Sequence, residues 1–451
     1  MKAKEEAFRI LEQALTIASS GVEEAEVSLA GGELGLTRFA DSQVVLTSEQ
    51  THEVLAIRAV VGGKSARVET SDLSLSGLKE AAHQARLRAE RLPEAAAGLG
   101  LPDPQTYEVA EAYDPETEAQ KALERAAMAA RAVVAALKHG LVASGSVSVR
   151  RGMIGVDGRP ETYAIANTRG LLAYHPETRL RMSVLLARPG GGAGWGASES
   201  VSVSEVDVDA LVGAAVERAL LGAQPAPLPS ARYAAVLEPA AVAELVRVLG
   251  LEAGAALAAA GTSYLAARGG EPSFDPAFTL TDDHQHPLLR GAPFDVEGVA
   301  RKKVGLVSRG VAGQPVCGWE SSKRLQLAPT GHRVVDPVRG AGDVAAHLVM
   351  EGGADTFGDL VGGIDRGVLI ARLSGVELLD SRRLLAAGAT RDGLFSIERG
   401  RLTGARPDMR FVVSLFDLFG ALKGLGTPVW AQGAVVPPIR VELPLLAGAS
   451  P

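Results

Sequence analysis

The sequence predicts an α+β protein of two domains: an N-terminal helix-on-antiparallel-sheet domain and a C-terminal antiparallel-sheet-rich domain around a central helix. Three observations carry this. Residues 1–19 repeat apolar side chains at helical steps, with Phe8, Leu11, Leu15 and Ile17 on or near one side. Three alternating segments follow, EAEVSLAG, TRFADSQVVLTS and HEVLAIRAVVGGKSARVET, parted by Gly31-Gly32, Asp41-Ser42 and Gly62-Gly63, and these read as strands and hairpins. Far along the chain, Val236–Ala260 reads as a helix, with Pro239 in its first turn and Val242, Leu245, Val246, Leu249 and Ala253 on a core-facing side.

A chain of 451 residues with 47% hydrophobic content is long enough for two or three ordinary cores. Aromatic residues make up only 4% and glycines number 52, so those cores are built from Ala, Val and Leu. Aromatic-poor surfaces do not suit stacked bases. The formal net charge of −7, with Lys and Arg scattered, argues against nucleic-acid binding. No run of about 18 apolar residues is present, so no membrane span is expected. The start, MKAKEEAFRILEQAL, mixes charges with apolar residues and reads as a helix rather than a signal peptide. A single cysteine, Cys317, forbids an internal disulfide and fits a reducing, cytoplasmic setting, where it reads as a structural thiol.

After the third strand, Ser71-Asp72 starts a second helix, and residues 93–116 read as a Pro- and Gly-containing surface connection. A long helix is expected from Thr117 to about Leu137, then strands through VASGSVSVRRG and TYAIANTRGLLAYHPETRLRMSVLLARPG. Ala166–Gly170 reads as a turn, with a peptide-contacting loop as its functional alternative. Gly190–Gly196 lacks the Lys-Ser/Thr of a phosphate loop and reads as a hairpin tip. Another helix covers 204–221, and Gln224–Pro229 is the expected linker, giving domains at 1–225 and 230–451. In the second domain Arg309-Gly310 marks a hairpin turn, and FVVSLFDLFGALKGLG reads as an amphipathic helix.

Several side chains are candidates for chemistry. His284 and His286 have a His-x-His spacing that can serve zinc, and Asp282, Asp283, Asp295 and Glu297 form an acidic set that could hold a divalent cation. Solvated turn caps explain the acids more simply, and His347, on an apolar strand, reads as a satisfied core histidine. No Ser/His/Asp or Cys/His arrangement is evident.

Taken in order, Arg38-Phe39-Ala40, Arg58, Gly62-Gly63, Ser71–Leu78, Asn167–Gly170 and Pro293-Phe294-Asp295-Val296-Glu297-Gly298 resemble the TldD/PmbA family. The chain departs from the family's pattern at Arg309, at His332 in Thr330-Gly331-His332, and in the loop around Arg391–Gly393. In metal-bearing members a helix after a Leu-x-Pro entry carries His-Glu-x-x-x-His. Laid on that motif, the first His falls at Arg247, the Glu at Val248 and the second His at Glu252. A permanent cation and an aliphatic side chain provide neither ligand nor general base, and Glu252 reads as an ion-pair partner of Arg247. No Cys follows Cys317 to supply the family's further ligand.

The resemblance therefore implies the zinc-free PmbA (TldE) branch. It implies no catalytic or metal residue in this chain, zinc in a TldD-type partner, and unfolded peptide as substrate. A self-standing peptide-binding or scaffolding homodimer is the alternative. A hydrolase working through His284, His286 and nearby carboxylates is a third reading. DNA gyrase modulation, also associated with the family, finds no basic patch here.

Overall fold

Helix α1 (Lys4–Ala18) buries Ala7, Ile10, Leu11, Ala14 and Ala18 and leaves its acidic first turn in solvent. Beneath it run β1 (Glu24–Ala40), β2 (Gln43–Val61) and β3 (Lys64–Thr70), and α2 (Leu75–Arg91), capped by Ser74, completes the layer. Residues 2–93, 100–155, 159–221, 226–336 and 340–447 of this computed structural model are described here. Asp41 and Ser42 both take positive φ, 49° and 59°, as a two-residue hairpin turn requires. Gly31-Gly32 is different. The pair sits inside β1, which runs unbroken through it opposite β2. A side chain at Gly31 would meet His52 O at 2.0 Å and one at Gly32 would meet Arg151 O at 2.2 Å, so only glycine allows this bend. The expected break between two strands is thus a kink within one.

That kink lets β1 serve two partners on one edge. Glu26–Ala30 pairs with β5 (Thr162–Asn167), while Gly31–Phe39 pairs with β4 (Val142–Met153). With β6 (Leu172–Tyr174), β7 (Thr178–Ala187) and β8 (Ala193–Ser200), the described residues form an eight-stranded antiparallel sheet in which β3-β2-β1-β4-β7-β8 is the main path. Two cores share it. One packs α1 and α2 on Val27, Leu29, Leu55 and Ile57. The other packs α4 (Ala122–Lys138) and α5 (Val208–Leu220) on Phe39, Val147, Val149, Met182 and Val184.

The expected helix from Thr117 begins late. A one-turn α3 (Pro115–Glu118), capped by Asp114, is separated from α4 at Ala119–Lys121. The guanidinium of Arg151, 4% exposed, occupies the break: Nε donates to Glu118 O at 2.6 Å and Nη2 to Gln120 O. These carbonyls bond an arginine instead of continuing a helix.

In the second half, the mid-chain segment is not one helix. β9 (Ala231–Leu237) precedes α6 (Pro239–Leu251), and a separate short helix covers Ala255–Ala259. One six-stranded sheet runs Arg401–Arg406, Leu394–Glu398, Arg366–Ile370, β9, Ile439–Leu445, Gly424–Leu425. A second runs Val311–Ala312, Val304–Ser308, Leu280–Asp282, Leu348–Met350, Ala434–Val436, Val429–Ala431. Leu373–Asp380, Leu385–Thr390 and Arg410–Ser414 form a third. Strands from all three touch α6. Of the expected helix at 411–426, only Leu415–Phe419 is helical. Phe411 and Val413 alternate into the core from a strand. Arg309-Gly310 turns a hairpin as expected, with φ of 43° and 81°.

Of the expected surface connection, residues 94–99 lie outside the described residues, and residues 100–113 run along the surface as a strap. Leu101 and Ala112 are buried, and Asn167 Nδ2 donates to Pro102 O at 2.9 Å. Tyr107 reaches the second half, its hydroxyl donating to Gly298 O at 2.7 Å and its ring meeting Phe294 edge-on. Trp319 Nε1 donates back to Gly100 O at 2.9 Å. Further stitches are Arg181 to Gln432 at 2.7 Å, Arg218 to Glu238 at 2.6 Å, and Arg372 stacked 4.6 Å from the Trp195 ring centre. Part of the expected linker, Gln224-Pro225, lies outside the described residues.

Candidate functional site

α6 is buried almost all round, since Ala240, Ala241, Ala243, Val248 and Gly250 are buried beside the predicted apolar face. The three positions of interest point apart. Arg247 faces solvent and pairs with Glu244 one turn back at 2.7 Å, not with Glu252. Val248, 4% exposed, lies in the core. Glu252 has left the helix as its C-cap, half-buried, where its charge and, above all, burial push the phenol of Tyr264 up. A zinc ion needs several lone pairs converging on one point. These side chains offer one carboxylate, so they do not fit the metal. Among the described residues no three His, Cys, Asp or Glu side chains stand together to hold an ion.

The chemistry-bearing residues converge elsewhere, between the two halves. Asp282 is fully buried, with Oδ1 3.0 Å from His332 Nε2 and 3.9 Å from His347 Nδ1, while Oδ2 accepts from His347 N at 2.9 Å. Burial alone would raise its carboxyl, but His332, His347 and Arg301 outweigh that and hold it well below the usual range. His347 is pushed down to about 3, by burial first and then by Arg301. It is neutral at ordinary pH. His284 is buried against Glu108 O of the strap at 3.3 Å, whereas the His286 ring turns back to accept from Leu288 N at 3.2 Å. The His-x-His pair therefore does not converge.

Asp295 accepts from Glu297 N and Val299 N, each at 3.0 Å, and from Arg333 N at 2.9 Å. Glu297 accepts from Trp319 N at 2.7 Å. Both are buried, and burial raises both. Across the interface, Glu26 of β1 is pushed up to about 7 by burial, against the pull of Arg58 and Arg67 and with the push of Glu297. Turn caps was the right expectation for Asp295, and Asp283 likewise caps Gln285 N at 3.1 Å. Solvated was wrong, because Asp282, Asp283, Asp295 and Glu297 are all buried. Glu26 and Tyr107 escaped notice in the sequence; Tyr107, an aromatic within a polar connection, was the available signal.

Cys317 is buried, and its thiol is pushed up to about 12 by burial, then by Asp343 and Glu297. A thiol facing carboxylates is no nucleophile. Asn167 is buried and holds the strap, with Oδ1 accepting from Arg169 N at 2.9 Å and Leu171 N at 3.1 Å. Its turn anchors the strap. The interface as a whole buries titratable groups, some in close pairs such as Asp282 with His332 and others, such as Glu26 and Glu297, raised by burial and by each other.

An α+β chain of large antiparallel sheets, with one mid-chain helix enclosed by strands, defines the class. Residues 104–222 match the central domain and residues 230–447 the C-terminal domain of PmbA/TldA metallopeptidases, and the chain belongs to that family. The fold is shared with TldE from Thermococcus kodakarensis, at 20% identity and a TM-score of 0.84, covering 97% of this chain and 100% of that one. A Thermotoga maritima protein described as a modulator of a DNA gyrase matches at 19% identity and 0.83, over 98% and 100%. One from Bacteroides thetaiotaomicron with the same description matches at 18% and 0.81, over the full length of both chains. No curated protein matches the sequence. No helix among the described residues is long and apolar enough to cross a membrane.

Proposed function

We propose that this chain is a zinc-free, non-catalytic subunit of a PmbA/TldA-type metallopeptidase that degrades or processes unfolded peptides. The observation that carries the reading is α6: the family scaffold is kept while Arg247 faces solvent, Val248 the core and Glu252 a helix end. A zinc-bearing relative supplies metal, water and general base, and this chain supplies interface and part of the peptide groove. Gln43–Val54 of β2 supports the groove, because β3 pairs only with Leu55–Val61 and no described strand covers the rest of that edge. Extended peptides bind such edges through backbone hydrogen bonds.

The test is zinc content and peptidase activity on an unfolded peptide, for the purified chain alone and mixed with a zinc-bearing family member. No zinc and no activity alone, with activity of the relative raised in the mixture, is expected. Stoichiometric zinc with activity in the isolated chain, or co-purification with no gain in activity, overturns the proposal. The scaffolding homodimer is favoured by one observation, the outer face of α4.

A further inference from the structure

The two ends of the strap are anchored in the first half of the chain. Leu101 N donates to Glu24 Oε2 at 2.7 Å, Asn167 holds Pro102, and Thr178 N donates to Ala112 O at 2.9 Å. Its middle reaches the second half through Tyr107 on Gly298 and Glu108 on His284. Thr106, Glu108, Val109 and Glu111 around these tethers are exposed. A segment held by so few contacts opens locally, without the rest of the fold.

The tether at Glu108 depends on the protonation of one ring. His284 is 2% exposed, and its Nε2 lies 3.3 Å from Glu108 O. A carbonyl only accepts, so Nε2 carries the proton and Nδ1 of the neutral ring is a bare lone pair. That Nδ1 is buried with no hydrogen-bond partner among the described residues. Protonation would place a second N–H there with nothing to receive it. Burial first, and then the Arg301 guanidinium, disfavour the cation and hold His284 below its ordinary range, against the pull of Asp282 and Asp283. Those carboxylates are already engaged. Asp282 faces His332, and Asp283 pairs with Lys303 at 2.8 Å. His347 stands edge-on with its ring 6.5 Å away and is neutral. Arg179 of β7 donates to Leu289 O and Arg290 O in the same loop, with its charge paired to Glu177 at 2.9 Å.

We propose that His284 is a proton-operated catch for the strap: the neutral ring holds Glu108, and the protonated ring releases residues 104–111 from the second half in mild acid. Once released, His284 regains the ordinary value of 6.5, so docking is fully favoured above that pH and weakens as pH falls below it. Asp295 and Glu297 work in the opposite sense. Both are raised by burial, so acid neutralises them in place and removes a penalty on the interface behind Tyr107. Release is therefore confined to the strap. It involves this chain alone and needs no zinc-bearing relative.

Cleavage after Glu108 by a Glu-specific protease, with the site identified by mass, tests the catch in the full chain. Rates are divided by that of a free peptide of residues 100–113 at the same pH, which removes the protease's own pH dependence. Such cleavage follows the population of the open segment. One titrating histidine predicts a rise of about tenfold between about pH 7.5 and about pH 5.5. His284→Gln, which keeps an N–H donor for Glu108 O but cannot gain a proton, should abolish the rise. Arg301→Gln, which removes the neighbouring cation, should reduce it. His286→Asn should leave it unchanged, since His286 Nδ1 accepts from Leu288 N within its own loop. A rise of less than about twofold in the unaltered chain overturns the proposal, as does an undiminished rise in His284→Gln or Arg301→Gln, or its loss in His286→Asn. Circular dichroism at each pH separates release of the strap from loss of the fold.

Discussion

α6 and α4 are both rich in Ala, Val and Leu with few charges, and the fold uses them in opposite ways. Around α6, strands from three sheets close on every side except that of Arg247 and Glu244. Around α4, one side meets a sheet and the other holds five exposed aliphatic residues. The difference lies in where the small residues fall. In α6 they permit close approach of strands, with a side chain at Gly250 meeting Ala345 O at 2.3 Å. In α4, alanines lie on both faces, so the helix sits low on its sheet and is left equally flat outside.

The same substitution at both helices should give the clearest contrast. Val248→Glu, which places a carboxylate in this core, is expected to cost about 4 kcal/mol or more, as urea denaturation would show. If it costs less than about 1 kcal/mol, α6 is not enclosed as described.

Charge burial at the interface extends the comparison. Glu26 has its carboxyl raised from the ordinary 4.5 to about 7, so the folded state holds a proton that the unfolded chain has lost across that interval. Stability therefore falls as pH rises from 4.5 to 7, by up to about 3 kcal/mol for this group, and no penalty exists below 4.5. Glu26→Gln should flatten that slope and stabilise the protein at pH 8, which denaturation at several pH values would measure.

Smaller effects test the packing. Gly250→Ala should cost about 2 kcal/mol, since Ala345 must move. Gly213→Ala in α5, with nothing within 4 Å of the new methyl, should instead stabilise by about 0.5–1 kcal/mol, read from thermal melts. Val134→Glu should change folding stability by less than about 0.5 kcal/mol when read on the monomer. A large loss there would place α4's outer face in a core.

Local chemistry made much of this fold legible. Asp41-Ser42 and Arg309-Gly310 were readable as hairpin turns because their residues suit positive φ, and the apolar side of α6 was readable from its spacing. Gly31-Gly32 looked like a turn because the sequence does not say that Arg151 and His52 pass beside it. The delayed start of α4 depends on the guanidinium of Arg151, brought there by the sheet. FVVS alternates over too few residues to be told from a helix. At the candidate site, the replaced ligand positions were legible residue by residue. Their directions were not, nor was the burial of Asp282 and Glu297, because the residues beside them, such as His332, His347 and Arg58, are remote in sequence.

The kink in β1 bears on how the chain is made. β1 ends at Ala40 and the strands that cover its second edge begin at Val142 and Thr162. On a ribosome adding roughly 5–20 residues per second, about 100 residues of synthesis separate the two, or roughly 5–20 seconds. Throughout that interval the nascent hairpin of β1 and β2 shows an open row of amide and carbonyl groups beside aliphatic side chains, the arrangement that recruits foreign strands. Because both lobes of the sheet hang on this one strand, neither can be completed ahead of its delayed partners, and holdase protection is needed most during the first third of translation.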